Sequence, residues 1–134
     1  MLNCYLYNDL KNSNSFSFGL WEGQSVQNAS WTNIMTFSLP AGRSMIFWSF
    51  TTDSIAVTGS PIMGTRLTYS NGAESQKLEY FISNQENAMS FFTMLYLDKA
   101  ETVNIQFFHN TGKTFYVNRR HVCVIPVYNT KLNT

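Results

Sequence analysis

Charged residues are scarce in this sequence of 134 residues. Asp, Glu, Lys and Arg make up 13% of the chain, against roughly 25% in typical soluble proteins, and the formal net charge is +1. So small a charge provides no electrostatic field that would attract nucleic acid or an anionic membrane surface. The composition therefore argues against a nucleic-acid partner. It predicts a surface that is polar through Asn, Ser, Thr and Gln, or one that a protein partner partly covers.

Long hydrophobic runs are also absent. No apolar segment approaches the length of about 20 residues that crosses a bilayer as a helix, and residues 1–15 lack the pattern of a secretion signal. We therefore expect no membrane insertion, and synthesis in a cytoplasm. That compartment favours reduced thiols at Cys4 and Cys123, although a disulfide between them is conceivable if the terminal strands are neighbours.

Residues suited to catalysis or metal binding are few. The two histidines, His109 and His121, stand in no HExxH-like spacing, and the eight carboxylates are scattered along the chain. Neither a Ser nucleophile elbow nor a CxxC pair occurs. The sequence thus predicts a protein that is not an enzyme, with no catalytic residues, no metal site and no cofactor.

The chain does contain apolar and aromatic residues at the spacing that is typical of β-strands. Hydrophobic residues make up 44% of the chain and aromatic residues 16%, and they recur at a period of two between turn signals such as Asn71-Gly72. The length suits one domain, 1–134, with a polar tail at 129–134. The predicted strands are 4–7, 15–21, 32–39, 44–52, 64–70, 75–83, 88–97, 102–109 and 114–128.

About eight antiparallel strands in one domain fit either an immunoglobulin-like sandwich or a jelly roll. The immunoglobulin alternative lacks its Cys…Trp…Cys spacing, because Cys4 and Cys123 are too far apart in the sequence. We therefore predict an all-β fold, an antiparallel double-sheet jelly-roll sandwich.

Two predicted strands, 44–52 and 88–97, are apolar on both faces. Fully burying a large apolar side chain gains about 1.5–3 kcal/mol, so a second apolar face indicates a contact with another chain. In 88–97 the residues of one face are Met89, Phe91 and Leu95, and those of the other are Phe92, Met94 and Tyr96. In 44–52 one face has Met45 and Phe47, and the other has Ile46, Trp48 and Phe50. We predict an oligomer interface that includes Trp48, Phe50, Phe92, Met94 and Tyr96.

Tryptophans beside a predicted loop suggest a ligand platform. Trp21 and Trp31 flank the loop 22–30, and an indole ring can stack on the apolar face of a sugar. The alternative for both residues is a position in the core or at its rim. Trp48 lies within an apolar strand and is expected to be packed.

Four segments resemble the jelly rolls of the C1q/tumour-necrosis-factor-like family, in particular its viral and phage structural members. These are FSLPAGRSMIFWSF (37–50), RLTYSNG (66–72), LDKAETVNIQFF (97–108) and RRHVCVIPVY (119–128). The chain departs from the family pattern at Ala100-Glu101, where the family favours Gly-Asp. The resemblance implies a homotrimer that packs aromatic strand faces around a threefold axis, and a binding or structural role.

We predict that the adjacent residues Arg119 and Arg120 also lie at the interface around the threefold axis. Neighbouring residues of a strand face opposite ways, so the alternative is one solvated and one paired arginine. At an interface a buried arginine needs a carboxylate partner, for which Glu79 and Glu101 are candidates.

Together these features predict a virion structural protein that is made in the host cytoplasm. It would be a homotrimeric module that decorates a capsid or forms the fibre head of a virus or bacteriophage, in contact with other virion proteins. Binding to a host-surface glycan is compatible with this role. The alternatives are a soluble C1q-like recognition module and a small jelly-roll enzyme. The enzyme would need a cluster of His and Glu ligands, and two histidines do not supply it.

Overall fold

The computed structural model describes residues 15–127, except for the side chain of Ser75. This part of the chain forms nine β-strands and no helix, so it has no helix that could span a membrane. The strands are β1 (Phe16–Leu20), β2 (Gln24–Val26), β3 (Thr32–Leu39), β4 (Gly42–Thr52), β5 (Ile62–Tyr69), β6 (Gly72–Tyr80), β7 (Ala88–Leu97), β8 (Glu101–His109) and β9 (Phe115–Val127).

The strands form two antiparallel sheets packed face to face. Sheet A has the order β1-β9-β4-β7, with β2 also paired to β9, and sheet B has the order β3-β8-β5-β6. β1 and β2 pair with successive parts of β9, so they act as one interrupted strand. The chain passes from one sheet to the other at most connections, as in a double Greek key. The predicted all-β jelly-roll sandwich is confirmed.

Most strands lie where the alternation of residues places them. The predicted strands 32–39 and 88–97 coincide with β3 and β7, and the Asn71-Gly72 turn joins β5 to β6. The short strand β2 was missed, because three residues carry too little periodicity and depend on β9 for pairing. The predicted strand 4–7, Cys4 and the tail 129–134 lie outside the described residues.

The core lies between the sheets, where alternate residues of the two layers meet. Trp48 and Phe50 of sheet A are 2% and 1% exposed, and Phe50 contacts Phe107 of sheet B edge to face. The indole Nε1 of Trp48 donates a hydrogen bond of 2.9 Å to the hydroxyl of Thr65, which donates in turn to the main-chain oxygen of Gln106. These bonds satisfy the polar atoms of a buried layer.

This burial corrects the predicted interface at Trp48 and Phe50. Both side chains belong to the core of one chain, so neither can contact a second chain in the folded state. The outward residues of the same strand are Met45 and Phe47. Both faces of β4 are apolar, and sequence alternation alone did not tell which of them points inward.

Candidate functional surface on sheet A

The outer face of sheet A is apolar where β4 pairs with β7. Phe47 lies opposite Phe92 with ring centroids 4.8 Å apart, and Met45 lies opposite Met94. Large exposed fractions remain on Phe47 (39%), Phe92 (44%), Met94 (43%) and Tyr96 (49%). Three of the predicted interface residues, Phe92, Met94 and Tyr96, thus share this outer surface.

The same surface continues onto β9, the other neighbour of β4. Cys123 lies opposite Phe47, and Ile125 lies opposite Met45. Cys123 is a half-buried free thiol. We call the surface formed by these three strands the apolar face; it consists of Met45, Phe47, Phe92, Met94, Tyr96, Cys123 and Ile125. At one end it opens into a shallow groove of about 550 Å³ between Phe47, Phe92 and His121.

The outer face of sheet B differs, since polar side chains bond to one another along it. Arg66 Nε donates to Gln106 Oε1 at 2.8 Å, and Gln106 Nε2 donates to Asn33 Oδ1 at 2.8 Å. Thr36 donates to Asn104 Oδ1 at 2.7 Å. These groups are satisfied within one chain or accessible to water, so this part of the surface needs no partner.

A β-bulge turns the two adjacent arginines of β9 to opposite sides of sheet A. The β4–β9 register shifts between Ser49 and Thr51. One residue of β4, Phe50, therefore lies opposite two residues of β9, Arg119 and Arg120. Arg119 takes a positive φ of 51° and is exposed, whereas Arg120 is 8% exposed. An extra residue in one strand reverses the alternation beyond it, and this is how Arg120 comes to point inward.

Arg120 binds neutral acceptors of its own chain. Its Nη1 donates to the side chain of Gln24 at 2.6 Å and to the main-chain oxygen of Ile34 at 2.8 Å, and its Nη2 donates to the oxygen of Glu22 at 2.8 Å. Burial lowers the pKa of Arg120, and the charge of Glu22 opposes this effect. The prediction that Arg120 lies at an oligomer interface is wrong, because the residue joins the two sheets internally.

The carboxylates suggested as arginine partners have other contacts. Glu79 pairs with Lys77 at 2.9 Å, and Glu101 accepts a hydrogen bond from the main-chain nitrogen of Ser70. Hydrogen bonds from Ser70, first from its side chain and then from its main chain, lower the pKa of Glu101. Arg119 instead approaches Glu86 at 3.4 Å, with both side chains more than half exposed.

The two tryptophans proposed as one platform lie against different sheets. Trp21 follows β1 of sheet A and is 79% exposed, beside Arg119 and His121. Trp31 precedes β3 of sheet B, where the guanidinium of Arg66 lies 4.1 Å above its ring. The two rings therefore do not form one platform, since Trp21 is exposed on its own and Trp31 is covered by Arg66.

The described residues show no arrangement suited to metal binding. Among them no three His, Cys, Asp or Glu side chains are grouped as ligands. His109 is fully buried and lies 4.3 Å from Phe115 between ring centroids, whereas His121 is exposed. His121 was predicted only as a strand residue. No local signal indicated its position, since the pairing of β9 with β1 and β4 brings it to the end of the apolar face.

Comparison with known proteins yields structural neighbours alone. No protein-family model matches the chain, and no curated protein matches it by sequence. The VP2 subviral particle of infectious bursal disease virus aligns with a TM-score of 0.60 and 9% identity, over 90% of this chain and 34% of that one. The structure of the Gx strain of the same virus gives a TM-score of 0.58 and 8% identity, over 87% and 33%.

A third neighbour comes from a bacterium. It is the N-terminal endo-1,4-beta-D-xylanase 10B of Clostridium thermocellum, solved as CBM22-1–GH10 modules with xylohexaose. It has a TM-score of 0.51 and 12% identity, over 90% of this chain and 26% of that one. This chain thus spans about a third of the VP2 chains, and at these identities the likeness establishes the fold. The narrower C1q/tumour-necrosis-factor-like assignment stays a prediction.

Proposed function

We propose that the chain is a non-enzymatic structural module of a virus or phage particle and that it assembles as a homotrimer through the apolar face. The observation that carries this proposal is the continuity of that face over β7, β4 and β9. Within the described part of these strands, the basic side chains on the outer side are Arg43, Arg119 and His121, which lie towards the two ends of the face. Such a surface suits a partner with the same apolar character, and a second and third copy of the chain provide one.

The apolar surface left on this face is of the size that an assembly requires. Four large side chains of the apolar face are about 40–50% exposed. Covering what remains of each gains about 1 kcal/mol, half or less of the value for complete burial. For four side chains in each of three copies the gain is about 12 kcal/mol, which is of the order of the cost of association, about 4–15 kcal/mol for each of the two steps that form a trimer. Cyclic symmetry closes the assembly, so no apolar face remains for open-ended growth.

The virion location is supported by the fold and by the surface. The neighbouring VP2 structures come from a subviral particle and from a virus, and their jelly roll has the same architecture. The 13% charged fraction leaves an outer surface that is polar through uncharged groups. We place the trimer on the particle as a capsid decoration or a fibre head, in contact with other virion proteins. Mass spectrometry of purified particles tests this location, and absence of the chain would contradict it.

Sedimentation analysis tests the trimer. At micromolar concentration we expect three times the 15.4 kDa mass of one chain. Phe92→Lys places a charge in the apolar face without touching the core, so this variant should sediment as a folded monomer. The control is Thr102→Lys, on an exposed position of β8 in sheet B, which should keep the wild-type mass. A monomeric wild-type chain, or a Phe92→Lys variant of unchanged mass, would refute the trimer.

A further inference from the structure

A pocket of about 310 Å³ lies beside the apolar face, between the end of β1 and the bulge of β9. Its lining residues are Gly19, Trp21, Arg119, Arg120 and His121. We call it the bulge pocket. Its volume is in the range of small-molecule sites, and it combines one aromatic side chain with hydrogen-bond donors.

The bulge places Arg119 at the wall of this pocket. Val117, two residues earlier, points into the core, so an unbroken strand would point Arg119 inward as well. The bulge turns Arg119 outward instead, onto the same face as His121. It does so at a φ of +51°, a conformation that non-glycine residues adopt at a cost of about 1 kcal/mol or more. Strain of this kind is frequent where a strand positions a side chain for binding.

The opposite wall leaves room for a ligand. Gly19 pairs with His121 across the β1–β9 ladder and brings no side chain of its own. Trp21 follows two residues later with 79% of its surface exposed, and its ring has no aromatic contact with the described residues. The pocket is therefore lined by a flat apolar ring, by the imidazole of His121 and by Arg119, whose guanidinium lies at Glu86.

The charges of the pocket favour an anionic group. Arg120 lies beneath it and donates hydrogen bonds to neutral acceptors, while the nearby charge of Glu22 offsets part of the charge of Arg120. Among the described residues Arg119 pairs with Glu86, through an exposed contact at 3.4 Å of the kind that contributes little free energy. A ligand carboxylate or sulfate can replace Glu86 and accept two parallel hydrogen bonds from the guanidinium.

We propose that the bulge pocket binds an anionic sugar, whose ring stacks on Trp21 while its carboxylate or sulfate accepts hydrogen bonds from Arg119 and His121. This site is contained within one chain and does not depend on the trimer. In this proposal Arg119 binds a ligand, whereas the sequence predicted that it lies at the oligomer interface.

Calorimetric titration of the full chain tests the ligand class. The probes are lactose, lactose 3′-sulfate, which adds a sulfate group to the same disaccharide, and 3′-sialyllactose, which adds a sialic acid residue with its carboxylate. We expect at least one charged probe to bind about tenfold or more tightly than lactose, because charge-assisted hydrogen bonds are the stronger ones. The two charged probes show whether the anion is a carboxylate or a sulfate. Equal binding of all three, or no binding of either charged probe, would overturn the proposal.

Variants test the residues. Trp21→Ala and Arg119→Gln should each weaken binding of the preferred probe by about tenfold. Glu86→Gln should strengthen it, because it frees Arg119. The controls are Tyr80→Ala, an exposed aromatic residue of sheet B, and Arg43→Gln, at the opposite end of β4 from the bulge; neither should alter the affinity. A loss in Arg43→Gln equal to that in Arg119→Gln would show nonspecific attraction and refute the site. The sedimenting mass of each variant reports separately on the trimer.

Discussion

Arg119 and Arg120 are identical in type and adjacent in sequence, but they have opposite environments. Arg119 is exposed and weakly paired, while Arg120 donates three hydrogen bonds to Gln24, Ile34 and Glu22. The carbonyl of Ile34 is available because β3 shifts register against β8 between Asn33 and Met35. Arg120 therefore joins a bulge of sheet A to a bulge of sheet B.

Arg120→Met should lower the free energy of unfolding by about 2–4 kcal/mol, because it leaves two main-chain oxygens and an amide without their partner. Urea denaturation followed by circular dichroism measures the change. Arg119→Met is the matched control, and its exposed ion pair is worth less than about 1 kcal/mol. Equal effects of the two substitutions would show that Arg120 does not join the sheets.

His109 links stability to pH. It is fully buried beside Phe107 and Phe115, and its Nδ1 accepts a hydrogen bond from the main-chain nitrogen of Thr111 at 3.3 Å. Burial lowers the pKa of His109, while main-chain oxygens of Val26 and Gln27 oppose the shift. The folded state thus holds the neutral ring.

Below pH about 6.5 the unfolded chain takes up a proton at His109 more readily than the folded chain does. We therefore expect the stability to be fully present above that pH and to decrease as the pH falls towards the lowered pKa of the folded state. Urea midpoints between pH 7.5 and 5 measure the slope, which His109→Phe should reduce. The control is His121→Gln at an exposed position, which should keep it. If His109→Phe keeps the wild-type dependence of stability on pH, that dependence does not come from His109.

At the scale of strands, Gly64 of β5 leaves room for the side chains of Leu78 and Trp31 on the outer surface of sheet B. A Cβ at this position would lie 2.5 Å from Leu78, 3.2 Å from the main-chain oxygen of Lys77 and 3.3 Å from Trp31. Leu78 is exposed and can move, but the Lys77 oxygen belongs to the β5–β6 ladder and Trp31 is held by Arg66.

Gly64→Ala should therefore destabilise the fold by about 1–2 kcal/mol through overpacking. Gly19→Ala is the matched control, since its Cβ would meet its nearest neighbour at an ordinary 3.5 Å. That substitution should leave the stability unchanged or raise it by up to about 1 kcal/mol. Thermal melting of both variants measures the difference, and a stabilised Gly64→Ala would show that the surface around Trp31 adapts freely.

The strands also show where sequence reasoning succeeds. The bounds of β3 and β7 follow from alternation, because the side chains of a strand alternate whatever its partners are. The grouping of Phe92, Met94 and Tyr96 on one face follows from the same pattern, whereas the outward position of that face comes from the packing of the sheets. β2 and the bulge at Arg119 could not be predicted, since each exists only through pairing with a strand distant in sequence.

At the scale of the whole molecule, the two outer surfaces differ in their need for a partner. The apolar face of sheet A spans three strands, whereas the outer surface of sheet B carries a connected series of polar side chains. The exposed Leu78 and Tyr80 of sheet B lie on its edge strand β6. This asymmetry supports the proposed assembly through the apolar face.

The sequence by itself determined the strand class of the fold, most strand bounds and the excess of apolar residues on β4 and β7. All three depend on local alternation and composition. Only the tertiary structure decided that Trp48 points inward and Phe47 outward, because both faces of β4 are apolar and the packing of sheet A on sheet B selects one of them. The same holds for the bulge pocket, whose residues from β1 and β9 meet only through the pairing of distant strands.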